Sequence, residues 1–574
     1  MKQTLILFSA GLFLIIGASN AEAKIRHKAA PGQLELNSGG KLPSTASKPP
    51  VPRNVQAAKP TAPKQKPNTE PAPGEVYVNQ SGKCTFSTAD FGLWKIRQLL
   101  VQSDRSIYFL AVSESNRGNQ TSLLHLDIAS KRVTPSLPAA VSVRSAALDP
   151  SLKRVAAVDA AAGVWISKDQ SWEKLLDGQQ VLDFKWAGPQ NAFITRKIDN
   201  GFTLSKWKVG DGESTAIAFT SKVPLQLHDV SPLNNQVAFV KAVSDTKSEL
   251  YLFEDGKTRN LTTGTRVLQA AFTKDERNLF VLEDIDGNGA VVRLYPLKTN
   301  SAPRTLSAEK LPAAHFSLSA DRLALSLETQ DWGLPYVKLF SIDASGTRIG
   351  EWPLTASAKA SAHETVVYAE GTNMPRAIAA VSSLEKADHI VLFDRGNSKT
   401  LWEQKDTQGC AQRWHRQEVK AQDEVSFIVD IYEPRAPESV AVKAQQKIVI
   451  HVPSSADHPP RPLFASVRQY WLQNGWTVVE PHFRGSQEVG TKFIQAAQSS
   501  TWEDDILEVV KQVEPRISNT KTPSPIEKRE ILSEKELVFR ALAVNGKSPY
   551  APYSIAKACE RCSALELARA LQKD

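Results

Sequence analysis

The chain repeats one local pattern that few architectures accommodate, a polar turn followed by four mostly apolar residues, and the pattern returns at intervals of roughly 40 to 46 residues. Ser103-Asp104 precedes Ile107-Tyr108-Phe109-Leu110, Asp149-Pro150 precedes Val155-Ala156-Ala157-Val158, and Ser231-Pro232 precedes Val237-Ala238-Phe239-Val240. Lys274-Asp275 leads into Leu279-Phe280-Val281-Leu282, and Ser319-Ala320-Asp321 into Leu323-Ala324-Leu325-Ser326. A second apolar run often comes next and ends in a polar hairpin, as in Leu250-Tyr251-Leu252-Phe253-Glu254-Asp255-Gly256. Runs this short, rich in β-branched and aromatic residues and punctuated by turn residues, are strands. A small sheet cannot bury its faces alone, so repeated units stack, and this period is that of a four-stranded propeller blade. With weaker units near Gly188 and Ala362, about seven blades fit residues 76–410. A propeller that closes by pairing its first and last strands would bring Cys84 and Cys410, which bracket the region, together as a disulfide across the seam.

After Cys410 the period is lost. Residues 425–432, 446–452 and 476–480 read as strands, and residues 462–474 and 504–513 as helices. Strands alternating with helices predict a parallel α/β sheet. The expected organisation is therefore an all-β propeller over 76–410 followed by a partial α/β-hydrolase-like domain over 411–574.

The amino-terminal flank reads as an address and a tether. Lys2, the apolar stretch over residues 5–16 and Ala21-Glu22-Ala23 make up the three parts of a signal peptide over residues 1–23. The apolar stretch falls short of the ~20 residues a membrane-spanning helix needs. Residues 24–75 are rich in Pro, Ala and Lys and poor in large apolar residues, the composition of a disordered linker. The chain has a formal net charge of +9, and +6 of it falls in this linker. The basic excess thus belongs to a tether suited to an anionic envelope surface, and nucleic acid is not an expected partner. The expected location is periplasmic or secreted.

Export allows disulfides, and the four cysteines are Cys84, Cys410, Cys559 and Cys562. Cys559-x-x-Cys562 reads as a short structural disulfide, since no second such pair or adjacent histidine completes a zinc site. Asp284, Asp286 and Asn288 alternate as calcium ligands would, but Tyr295 stands where the bidentate glutamate belongs. A tight hairpin explains the same residues, and no cofactor or metal is expected. Asp90-Phe91-Gly92 stands alone, without the companion motifs of a kinase.

The stretch Trp476-Thr477-Val478-Val479-Glu480-Pro481-His482-Phe483-Arg484-Gly485-Ser486, followed by Gly490, Phe493 and Trp502-Glu503-Asp504-Asp505, resembles the prolyl oligopeptidase (S9) family of serine peptidases. His482-Phe483 replaces that family's Asn-Tyr pair. The resemblance implies a propeller of about seven blades before an α/β-hydrolase domain, the order of parts already inferred. It also implies a serine on a strand-to-helix elbow, with an acid and then a histidine later in the chain.

Those parts are not legible here. The best elbow candidate is Ser548, within Gly546-Lys547-Ser548-Pro549-Tyr550. The backbone N–H after the nucleophile normally serves the oxyanion hole, and Pro549 has none. Losing one such donor costs about a hundredfold or more in rate. Tyr550 replaces the packing glycine, and His451-Val452-Pro453-Ser454-Ser455 stands where the family carries a glycine-rich donor loop. No histidine comes after Ser548, the last being His482. Ser548 therefore reads as a turn serine. His451 and His482 are expected to be ordinary polar residues at strand ends, and Glu503, Asp504 and Asp505 to favour a helix dipole. The resulting expectation is a degenerate or carboxyl-terminally truncated family member that binds a peptide, protein or glycan through its propeller without hydrolysing it. The competing expectation is an active secreted serine peptidase of the dipeptidyl or acylaminoacyl-peptidase kind.

Overall fold

The computed structural model describes residues 77–78 and 93–533, apart from 104, 114–119, 152, 169–170, 210–215, 232, 234, 263, 300, 307–312, 332–333, 355–359, 369–374, 405–406, 408, 435–445, 453–460, 486–489, 498–501 and 518–525. The expected signal peptide and linker, Cys84, Ser548, Cys559 and Cys562 lie outside these residues.

Residues 94–403 form antiparallel meanders of four strands each, taken in chain order. The fifth and sixth meanders, 266–305 and 313–354, are joined into one sheet through the single pair Ala290↔Ala313. Each of the turn-then-apolar signals marks the second strand of a meander, for example Val237–Ser244, whose first four residues are all buried. The hairpin after Leu250 closes on Asp255 and Gly256, both with positive φ (48° and 75°). Two such residues in a row make the turn whose twist matches the flanking strands.

Each meander shares an apolar core with the next. Leu110 of the first packs with Val155 of the second, Phe184 of the third with Ala156 of the second, and Phe280 of the fifth with Leu325 of the sixth. The series returns on itself, because Ile96 and Phe109 of the first sheet share a core with Ile378 and Ile390 of the last. The sheets therefore form a ring, a propeller-like arrangement.

The expected strand pairing at the closure is not seen among the described residues. Among the described residues the first and last sheets share no ladder, and side chains join them at the seam. The Gln404 amide accepts from the Trp94 N–H and donates to the Trp94 carbonyl, both at 2.6 Å. Asp388 accepts from the Ile96 N–H at 2.7 Å and pairs with His363 at 3.3 Å. Burial disfavours the charged imidazole of His363, but Asp388 outweighs it and raises the pKa.

The second region is a mixed sheet built from β1 (Tyr77–Val78), β2 (Ala411–Lys420), β3 (Ser426–Pro434), β4 (Gln446–Val452), α1 (Ser466–Gln473), β5 (Trp476–Pro481), α2 (Thr491–Ala496), α3 (Trp502–Ile517) and β6 (Ile526–Ser533). Its strand order is β1-β2-β3-β5-β4-β6. Residues 77–78, expected at the start of the propeller, pair instead with Trp414 and Arg413 of β2. Pairing is antiparallel from β1 to β5 and parallel across β5, β4 and β6. Alternation along the strands sorts the core into two faces. Tyr432, Val449 and Val478 meet Trp471 of α1, while Ile431, Ile450 and Val479 meet Ile506, Val509 and Val513 of α3.

The order also locates a crevice. The chain leaves β4 for β5 on one side and then crosses to β6 on the other, so β4 stands at a switch point. In open α/β sheets, ligands bind outside the carboxyl ends of strands at such a point.

Candidate functional site

The carboxyl ends of β4 and β5 carry His451, Glu480 and His482, and the neighbouring β3 places Asp430 directly opposite Glu480 in register. Each histidine meets one carboxylate. His482 Nε2 lies 2.8 Å from Asp430 Oδ2, and His451 Nδ1 lies 3.2 Å from Glu480 Oε1. An imidazole oriented by a carboxylate is the base half of a nucleophilic site.

Both carboxylates are nonetheless engaged elsewhere. Asp430, fully buried, takes two hydrogen bonds from Arg416 at 2.7 and 2.8 Å and one from Trp414 Nε1 at 3.1 Å. Glu480 takes two from Arg468 at 3.2 and 2.7 Å. The Arg468 guanidinium also lies over the Tyr432 ring, 4.0 Å from its centroid. Burial would raise the pKa of both carboxyls, but the guanidiniums outweigh it. Arg416 and then His482 hold Asp430 far below its ordinary value. Arg468 above all holds Glu480 down to about 2. Two guanidiniums balance two carboxylates, and such buried arrays stand only when every charge is matched.

Among the described residues, no hydroxyl or thiol is hydrogen-bonded to either histidine. His451 Nε2 and the Tyr432 hydroxyl are buried without a hydrogen-bond partner. The polar roles expected of His451 and His482 are thus specific ones, in a charge array that the sequence does not announce. Its one advance signal is the alternation in β5, where Glu480 and His482 continue the face begun by Trp476 and Val478.

The remaining candidates have other duties. Arg484 of the Arg-Gly-Ser motif is buried and donates from Nε to Asp505 at 3.1 Å. It fastens β5 to the first turn of α3, so Asp505 serves an ion pair beyond the dipole role expected of it. Asp284, Asp286 and Asn288, weighed as calcium ligands, spend their oxygens on protein donors. Asp284 accepts from Gly287 N at 2.8 Å and from Thr491 N at 2.6 Å. Asp286 accepts from Asn288 N at 3.1 Å, and Asn288 Oδ1 from Lys492 Nζ at 3.2 Å. The loop is a docking peg for α2. Gly490 permits the approach, since a Cβ there would lie 2.4 Å from the Gly289 nitrogen. A second docking contact joins Arg461 to Glu328 at 2.8 Å. A third runs through Gln469, which bridges Cys410 N (2.6 Å) and Leu384 O (2.9 Å).

Cys410 is buried and disulfide-bonded. It packs with Leu384 and Ala387 of the last ring sheet and beside Leu93, which precedes the first. The expected partner, Cys84, and the Cys559–Cys562 pair lie outside the described residues, as does Ser548.

No protein-family model and no curated protein matches the sequence. The fold does have counterparts among solved structures, and they are peptidases of the prolyl oligopeptidase (S9) family. A puromycin-hydrolysing peptidase of Mycobacterium tuberculosis superposes with a TM-score of 0.63 at 14% identity, covering 83% of this chain and 78% of its own. The acylaminoacyl peptidase of Pyrococcus horikoshii gives 0.55 at 11% identity, covering 77% and 73%. Prolyl oligopeptidase B of Galerina marginata gives 0.57 at 12%, covering 74% and 66%. At such identities the likeness is one of fold.

Proposed function

We propose that this is an exported envelope protein, periplasmic or secreted, in which a seven-bladed propeller captures a peptide or protein ligand and an incomplete hydrolase-like domain packs against it without cutting. A glycan ligand would fit the same ring, and the peptidase fold of the neighbours favours a peptide. The observation that carries the reading is the make-up of the segments after β4 and β6, the strands flanking the switch point. A hydrolase of this kind stands its nucleophile on the turn after a strand at that place. Here β4 runs into Pro453-Ser454-Ser455 and β6 into Glu534-Lys535-Glu536-Leu537, while Ser548 comes only after residues 534–547. The two histidines nearest the switch point are committed to Asp430 and Glu480.

The second reading, an active secreted serine peptidase, draws on the fold neighbours, which are peptidases. Treating the purified mature protein with a fluorophosphonate probe, beside the Ser548→Ala variant, separates the two. The binding reading expects no serine-specific label, and label abolished by Ser548→Ala would establish the peptidase. Cell fractionation tests the export. Peptide mapping without reduction tests the proposed Cys84–Cys410 and Cys559–Cys562 bonds.

A further inference from the structure

The strand that opens each ring sheet carries an irregularity. These seven strands begin at Trp94, Val143, Val181, Leu225, Arg266, Ala313 and Ala360. They contact one another in sequence around the ring, the last meeting the first, and so wall its central channel. In every one, the register against the following strand slips, early in most and mid-strand in the fourth and seventh. A bulged residue leaves the ladder and its side chain is re-aimed. The slips fall at Arg97, Arg144, Leu182, His228 and Leu268 in the first five sheets, beside His315 in the sixth, and at Glu364 in the seventh.

Topology says which end of the channel this is. The first strand of a meander starts at the end where its second and third strands turn. In the fifth sheet that turn is the peg at Asp284–Gly289, against Thr491 and Lys492. In the sixth, Glu328, the register partner of His315, holds Arg461. The bulges therefore ring the channel mouth that faces the mixed-sheet domain.

The channel has a positive excess. Arg97 and Arg144 stand at the slips of consecutive sheets and are exposed, and Lys185 lies deeper, past the slip of the third. Lys185 of the third sheet is within electrostatic reach of His228 in the fourth and His315 in the sixth, so it acts across the channel. The opposing acids are muted. Asp183 accepts from the Leu227 N–H at 3.2 Å, and burial raises its pKa. Burial and then Glu328 push Glu364 up to about 8, and Glu328 is matched by Arg461. His228 Nε2 is buried with no hydrogen-bond partner among the described residues, and burial keeps its ring neutral, with the pKa lowered to about 3.

We infer that this channel mouth is an anion-binding site that receives the carboxylate side chains of an acidic peptide. Arg97, Arg144 and Lys185 supply the charge, His228 supplies a neutral polar contact, and Leu182, between Arg144 and His228 in sheet order, is placed to meet aliphatic stems. The inference rests on the peptide-binding reading above and narrows it to one ligand chemistry.

The test uses the full mature chain and fluorescence anisotropy with three labelled pentapeptides: pentaglutamate, pentalysine and an uncharged glycine-serine peptide. Pentaglutamate is expected to bind in preference to both others. Arg97→Gln, Arg144→Gln and Lys185→Gln should each weaken it about tenfold, the scale of a lost charge-assisted contact. Lys257→Gln, on an exposed outer strand of the fourth sheet, should leave binding unchanged. If pentaglutamate binding survives all three channel substitutions, or falls as much with Lys257→Gln, general basicity is responsible and the inference is overturned. Equal binding of the uncharged peptide would remove the anion site and leave the peptide-binding propeller standing. If no peptide binds, both fall. Thermal melting of each variant distinguishes a lost site from a lost fold.

Discussion

The ring and the mixed sheet bury their strands by opposite means. Between ring sheets the cores are apolar and repeat from one sheet to the next, stitched by single side-chain bonds such as Asp183 to the Leu227 N–H and Asp388 to the Ile96 N–H, and no single side chain dominates. The sheet beyond residue 410 has an apolar core on each face too, but into one of them it builds a layer of two carboxylates, two guanidiniums and two imidazoles. Repetition spreads stability over many similar interfaces, whereas a matched charge array concentrates it in residues whose loss strands a partner. The ring should therefore tolerate single changes in proportion to the surface they remove. The mixed sheet should respond all at once.

The largest expected effect is at Asp430. Asp430→Ala leaves Arg416 buried and unmatched, and breaking such a pair costs about 3–5 kcal/mol. Denaturant unfolding should show the transition of the mixed sheet shifted and that of the ring nearly unmoved, and a loss below about 1 kcal/mol, the range of exposed pairs, would dissolve the contrast. Leu250→Ala, in the core between the fourth and fifth sheets, should cost about 3 kcal/mol through the cavity it leaves. The same unfolding experiment should place that loss in the ring transition.

Smaller effects probe where the regions join. Gln404→Ala should cost about 1–3 kcal/mol by leaving the Trp94 N–H and carbonyl without their clasp. Hydrogen exchange should then rise in residues 94–103 before the other ring strands. Gly287→Ala forces a side chain into a φ of +82°, with its Cβ 2.5 Å from Lys492 Cγ. A cost of about 1 kcal/mol is expected, and limited proteolysis should find the 490–497 segment cut sooner.

The smallest effect is the most discriminating, because its sign differs between the two regions. Glu480 has a folded value below its unfolded one, so its contribution is present above pH ~4.5 and is lost as pH falls through about 2. His363 has a folded value above its ordinary 6.5, so its contribution is complete below that value and is lost as pH rises through the folded one. Glu364 binds a proton in the folded state up to about pH 8 and in the unfolded state only to about 4.5, so it too favours folding less as pH rises. Hydrogen exchange corrected for intrinsic rate should show the seam loosening between pH 6 and 9 while β3 and β5 hold. Loosening of both together would refute the assignment.

The meander strands are legible in the sequence because turn chemistry and apolar runs are local. Asp275 and Asp321 anchor tight turns, and Leu279 and Leu325 begin strands within a few residues of them. Of the mixed sheet, the strand over 446–452 is legible, since its Ile-Val-Ile run is buried on both faces. Residues 411–420 and 526–533 are not, because their Gln, Arg, Glu and Lys side chains hide the period. The charge array is invisible for another reason. Arg416 and Asp430 meet through hairpin register, and Asp430 and Glu480 through the pairing of β3 with β5, neither of which composition records. The channel bulges escape notice as well, since a one-residue slip alters geometry and leaves the apolar pattern almost intact.

The seam between Trp94 and Gln404 has a consequence at the level of the gene. Because the described strands of each ring sheet follow one another in the chain, each of those sheets is one uninterrupted stretch of coding sequence. A duplication or deletion bounded by the loops between sheets would add or remove a whole unit and leave no orphan strand behind. Any of those loops could also serve as a new pair of ends, with the old seam sealed by a short linker.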